Sequence, residues 1–190
     1  MYDSLDNYYE RTRYEKLRKQ MLKNVQGKVL DAGCGTGRNF PHYGKGAEVV
    51  GIDLHPRMLA VAKQRAKQSK AKINLLQHDL ETLPFSNNSF DAIVATFVLC
   101  VMPLKKERAV LKELVRVAKP GARFYFLEYV YSKNFYRRFL MRIFAFIPRL
   151  LFGLHYNTTL PAIEEEKRLE VEKLEFVYRD ILRLIVVRKI

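Results

Sequence analysis

The residues with most chemical content lie in one stretch, VLDAGCGTG from Val29 to Gly37. Gly33, Gly35 and Gly37 alternate behind a short apolar run. Glycine at the turn between a first strand and a first helix lets a ligand lie against bare backbone. Asp31 precedes the loop, where its carboxylate can face a cation or orient the turn. Asp53 closes a second apolar run, AEVVGID, and a carboxylate at that strand end can accept hydrogen bonds from both hydroxyls of a ribose. Two phosphate-binding patterns are excluded. The dinucleotide fingerprint needs its third glycine one residue later, where Arg38 stands, and no Gly-Lys-Ser/Thr follows as a P-loop requires. The loop suits a ligand with an ammonium group and no phosphate.

The elements that must position these residues follow from periodicity. Tyr14, Leu17, Met21 and Val25 recur at helical spacing among Arg11, Arg13, Lys16, Arg18, Lys19 and Lys23, which predicts a helix over 7–25. Short apolar runs predict strands at 29–32, 47–52, 73–77, 90–95 and 123–130. Helices are expected over 56–70 and 104–118, the second stopped by Lys119-Pro120-Gly121. Strands alternating with helices imply a parallel sheet with crossover helices. Two last strands, 174–178 and 181–188, are joined by a tight turn at Arg179-Asp180 and must be antiparallel. The expected fold class is therefore α/β, doubly wound, with a mostly parallel seven-stranded sheet and an antiparallel C-terminal hairpin.

The 190 residues suffice for one domain with a sizeable core. The polar start, MYDSLDNYYERTRYEK, reads as no signal peptide. No apolar run reaches the ~18 residues that span a bilayer. Cys34 and Cys100 lack metal-ligand spacing and read as thiols in a reducing compartment. No metal site is expected. The net charge of +14 suits an anionic surface, nucleic acid, or a solvated Lys-rich exterior.

Several segments together resemble class I S-adenosylmethionine-dependent methyltransferases of small-molecule type, over about Val29 to Val130. VLDAGCGTG resembles that family's first motif and VVGIDLHPRML its second. HDLETLPFSNNSFD and FDAIVATFVLC resemble the following segments. LKELVRVAKPGARFYFLE resembles the helix, turn and fifth strand of quinone-biosynthesis enzymes. The resemblance implies a Rossmann-like methyltransferase fold with S-adenosyl-L-methionine as cofactor. It implies a cofactor site of Asp31, Gly33, Cys34, Gly35, Thr36, Gly37, Asp53, Leu54, Asp79, Leu80 and Thr96. In it Asp53 takes the ribose, Leu54 packs on adenine, and Asp79 with the Leu80 backbone reaches the adenine amino edge. In similar enzymes the N-terminal segment folds across the cofactor, which makes Tyr9, Arg13 and Tyr14 candidates for the pocket. No catalytic residue is assigned, because alignment of nucleophile, methyl and sulfur supplies most of the acceleration.

The exit of the fourth strand, Ala95-Thr96-Phe97-Val98-Leu99, lacks the Asn/Asp-Pro-Pro-aromatic stretch found in enzymes that methylate exocyclic or amide nitrogens. A nucleic-acid substrate is therefore not expected, and a nucleic-acid-binding protein is the alternative of another class. The insert from Tyr131 to Pro161 places Arg137, Arg138, Arg142 and Arg149 in one helical sector. Phe135, Phe139, Ile143, Phe146, Ile147 and Leu150 fall opposite, and Pro148 is expected to break or bend the helix. Such a helix either covers the site as a lid or lies on an anionic membrane. His155 and Tyr156, just beyond, are candidates to hold a substrate or accept its proton. His42 and Tyr43 are weaker candidates.

The expected organisation is one domain over 1–190. It comprises a basic N-terminal helix (1–26), a cofactor-binding core (27–130), a basic amphipathic insert or lid (131–165) and a hairpin (166–190). The expected acceptor is a lipophilic small molecule or lipid headgroup. A phospholipid amine leads; a quinone-ring carbon and an alkyl thiol are the alternatives. The expected location is cytoplasmic, peripheral to the inner face of the cell membrane.

Overall fold

The computed structural model describes residues 14–152 and 160–190. Seven strands form one sheet: β1 (Gly27–Ala32), β2 (Ala47–Asp53), β3 (Lys72–Gln77), β4 (Phe90–Thr96), β5 (Ala118–Tyr129), β6 (Leu169–Tyr178) and β7 (Leu182–Lys189). Their order is β3-β2-β1-β4-β5-β7-β6. The first five pair in parallel, and β7 runs antiparallel to both β5 and β6. The strand order reverses between β1 and β4, so their carboxyl ends open the crevice where such sheets bind ligands.

Alternation along the strands fills two apolar layers. Leu30, Ile93, Phe124, Phe126, Ile185 and Val187 face one layer, with α3 (Leu104–Val117) among its covers. Val29, Val49, Val94, Leu127 and Leu182 face the other. That second face is covered by α1 (Glu15–Leu22) and α2 (Pro56–Ala66), through residues such as Leu22 and Ala62. The expected strand set is present, and β6 is five residues longer at its start than its periodicity indicates.

Local chemistry explains the departures. Only one 3₁₀ turn, Phe40–His42, stands between β1 and β2 where a crossover helix is usual, and Pro41 sits at its first positions. The helix expected over 7–25 is seen as α1; residues 1–13 lie outside the described residues. The insert forms α4 (Phe135–Phe152), in which Pro148 does not end the helix. Proline removes one backbone donor there and costs one helical bond rather than the element. Asn134 caps its start by accepting from Arg137 N–H at 3.0 Å. A further short helix, α5 (Leu160–Glu165), returns the chain to α3. The edge strand β6 departs from regular register twice, between Val171 and Lys173 and between Phe176 and Tyr178.

Candidate active site

The three glycines of the loop do different work. A Cβ on Gly33 would come within 2.7 Å of Val98 Cγ2, and one on Gly37 within 2.6 Å of the Phe40 ring. Both make room for packing. Gly35, at φ +53°, has nothing within 4 Å of that position, so its backbone faces open space. The loop is pinned around it: Cys34 N–H donates to Ile52 O at 2.8 Å, Gly37 N–H to Cys34 O at 2.8 Å, and Arg65 to Thr36 O at 2.8 Å. The Cys34 thiol is buried, which pushes its pKa up.

Asp53 stands at the end of β2. Its Oδ2 accepts from Gly35 N–H and its Oδ1 from His55 N–H, both at 2.9 Å. Each oxygen keeps a second lone pair, enough for two ribose hydroxyls. Beside it Leu54 is 48% exposed, an apolar platform of the kind a base stacks on. Asp79 Oδ1 accepts from Glu81 N–H at 3.0 Å, and Lys106 lies 3.5 Å from Oδ2. Together they hold the Asp79 carboxyl below its usual range. Leu80 is buried beneath. These residues fit an adenosine laid across the ends of β1 and β2.

Asp31 is fully buried. Asn39 Nδ2 donates to both its oxygens at 3.0 Å, and Tyr43 O–H to Oδ2 at 3.0 Å. Burial raises its pKa to about 6, against the pull of Asn39, Tyr43 and Arg18. Arg18 of α1 donates to Asn39 Oδ1 and, at 2.8 Å, to Thr96 Oγ1, and lies 5.4 Å from the Phe97 ring centroid. A polar cluster of Arg18, Asp31, Asn39, Tyr43 and Thr96 thus fills the floor between β1 and β4. Sequence reasoning passed over Arg18 and Asn39. Each is a lone polar residue without a motif, although Arg18 falls close to the apolar stripe of its helix.

At the edge of the second apolar layer Tyr14, Phe97 and Tyr129 form an aromatic trio. Ring centroids are 5.3 Å apart for Tyr14–Phe97 and 4.9 Å for Phe97–Tyr129, and the two phenol hydroxyls are hydrogen-bonded to each other. Of the other candidates, Tyr9, Arg13, His155 and Tyr156 lie outside the described residues. His42 ends the 3₁₀ turn and Tyr43 follows it, buried on Asp31. Among the described residues no group of His, Cys, Asp and Glu gathers as a metal site would.

A family model described as a methyltransferase domain matches residues 30–126. The chain belongs to that methyltransferase family. A demethylmenaquinone methyltransferase from Chlorobaculum tepidum is 33% identical over 161 residues, covering 84% of this chain and 60% of the relative. A human thiol S-methyltransferase, TMT1A, is 32% identical over 126 residues, covering 60% and 50%. This methyltransferase chain spans about half to two thirds of the length of such relatives. Among solved structures, the N-methyltransferase NodS of Bradyrhizobium japonicum, bound to S-adenosyl-L-homocysteine, superposes with a TM-score of 0.71 at 19% identity, covering 95% of this chain and 87% of that one. A methyltransferase from Methanosarcina mazei gives 0.67 at 22% identity, covering 92% and 97%. Both share the Rossmann-like methyltransferase fold.

Proposed function

We propose that this domain transfers the methyl group of S-adenosyl-L-methionine to a lipophilic acceptor at a membrane face, with a quinol-type ring carbon as the favoured acceptor. The observation that carries the cofactor is Gly35: an unobstructed backbone beside the Asp53 carboxylate and the exposed Leu54. When bound, the cofactor supplies an electrophilic methyl on a sulfonium. The chain's own part is orientation and exclusion of water. Asp53 would hold the ribose, Leu54 and Leu80 the base, and Asp79 its amino edge. The Arg18–Asn39–Asp31 cluster holds the floor rigid.

For the acceptor, the Tyr14–Phe97–Tyr129 trio supports a flat ring, since aromatic faces stack in offset or tilted pairs. The relatives named for demethylmenaquinone support the same choice. They move weight away from the phospholipid amine that the basic insert suggests. An alkyl thiol is the second reading, supported by the human relative.

The membrane face is supported by α4. Phe135, Tyr136, Phe139 and Ile143 are 84%, 69%, 53% and 50% exposed, so the start of the apolar sector points outward rather than into a core. Among the described residues no helix is long and apolar enough to cross a bilayer, and one with this pattern lies in the interface plane.

The test is transfer from methyl-labelled cofactor to three probes offered separately: a short-chain demethylmenaquinol, an alkyl thiol, and phosphatidylethanolamine in vesicles. Label on the quinol ring is expected. Label on the lipid amine or thiol alone overturns the acceptor assignment. No label on any probe, together with no cofactor binding, overturns the enzymatic reading.

A further inference from the structure

Glu128, at the carboxyl end of β5, is fully buried in an apolar layer and lies outside the expected cofactor set. Its Oε1 accepts from the N–H groups of Val98 and Leu99 at 3.3 and 3.1 Å, and its Oε2 from Cys100 N–H at 3.1 Å. The Cys100 thiol donates to it as well. One carboxylate thus gathers three consecutive amides of the segment leaving β4. Just before them, Phe97 turns at φ +59° with its N–H on Leu127 O at 2.8 Å. A phenylalanine holds that left-handed conformation only where its surroundings impose it.

The bend has two consequences. It delivers the Phe97 ring to the aromatic trio, and it presses Val98 against the bare backbone of Gly33. The segment is therefore one wall with two sides, the acceptor mouth on one and the glycine loop on the other. We infer that Glu128 is a positioning residue that fixes this shared wall and so couples cofactor binding to acceptor alignment. The inference rests on the methyl-transfer reading above.

Glu107, in the first turn of α3, is buried with neither carboxyl oxygen partnered among the described residues. Burial and the charge of Glu128 push its pKa up to about 7. Two buried carboxyls side by side hold a proton between them. Burial raises Glu128 to about 7 as well, but its four donors favour its charged form, so the pair's first proton goes to Glu107 and the amides keep a charged acceptor near neutral pH.

The experiment reads amide exchange at residues 98–100 and S-adenosyl-L-homocysteine binding by calorimetry, well below the melting temperature. In the wild type these amides exchange slowly, and more slowly once the ligand is bound. Glu128→Gln puts a donor where an acceptor is needed. Exchange at the three amides should rise at least tenfold and ligand affinity fall about tenfold, although Glu128 does not touch the ligand. A purely architectural role would lower the melting temperature and leave the affinity of folded protein unchanged, and that result overturns the inference. If Glu128→Gln does not fold, Val98→Ala keeps the anchor and removes the methyls that meet Gly33, at the cost of a small cavity in the core. It should weaken ligand binding while the amides stay protected, and unchanged affinity overturns the inference. A wild type that protects these amides but binds no S-adenosyl-L-homocysteine overturns the methyl-transfer reading, and the inference falls with it.

Discussion

Asp53 and the loop glycines divide the labour of one small site, and substitutions should separate their roles. Asp53→Ala removes two acceptors for charge-assisted hydrogen bonds, so S-adenosyl-L-methionine binding should weaken by roughly 2–4 kcal/mol in calorimetric titration. Gly35→Val strains the backbone at φ +53° but sends its side chain into open space, so the protein should fold with a reduced melting temperature and no longer bind. Gly33→Val should also collide with Val98 and lower the melting temperature further. Equal thermal losses in the two variants would contradict that division. The loop glycines and Asp53 were legible in the sequence from their spacing and strand-end position, whereas Leu54, Asp79, Leu80 and Thr96 were marked only by the family resemblance. Glu128 was legible only as a lone acid inside the apolar run FYFLEYV. Its partners are amides 28–30 residues away, which no local pattern reveals.

Among the elements, α4 shows what periodicity leaves open. The 3.6-residue repeat identifies the helix and its apolar sector, but the direction that sector faces is a tertiary fact. The structure turns Phe135, Tyr136, Phe139 and Ile143 outward. It also takes one arginine out of the basic sector: Arg137 forms an ion pair with Asp180 in the β6–β7 turn, which ties the helix start to the sheet. Asp180 also accepts from Ser132 O–H at 2.6 Å, and these bonds hold its carboxyl far below the usual range. Arg138 donates to the Ser132 carbonyl at 2.7 Å, Arg142 lies 6.0 Å from the Tyr131 ring centroid, and the side chain of Arg149 lies outside the described residues. On the proposed membrane face Arg138 and Arg142 would each contribute on the order of 1 kcal/mol. Sedimentation with vesicles containing anionic lipid is expected, with little on neutral ones. Arg138→Gln with Arg142→Gln should release most of the protein and leave cofactor affinity intact. Phe139→Ser should weaken binding further without unfolding, since that ring is exposed. Indifference to anionic vesicles, combined with retention of RNA at physiological salt, would replace the membrane with a nucleic acid.

At the level of the whole molecule, three buried carboxyls set the pH response. Asp31 is raised to about 6, and Glu107 and Glu128 to about 7, each mainly by burial. The folded state therefore holds protons that the unfolded chain has released by pH 5, and stability must fall as pH rises from about 5 through 7. Below about pH 4 the lowered carboxyls, Asp79 and Glu113 among them, reverse the trend. Melting temperature should peak near pH 5. Glu107→Gln should flatten the alkaline decline by on the order of 2 kcal/mol, and an unchanged slope would show that Glu107 does not titrate there. The topology behind this core was legible because strands alternate with helices and the last two strands lie too close for a crossover. The missing helix between β1 and β2 and the short α5 were not, since one depends on a three-residue turn and the other on docking against α3. The sheet's outermost strand has a consequence for crowded solution. β6 exposes Val171, Leu174 and Phe176, and a flat apolar margin would invite a second copy to extend the ladder indefinitely. The two register breaks kink that margin, and Glu170, Glu172, Lys173 and Glu175 place charge along it. A neighbour could match only a few residues before losing alignment, so the strand that closes the domain also keeps it from growing into a fibril.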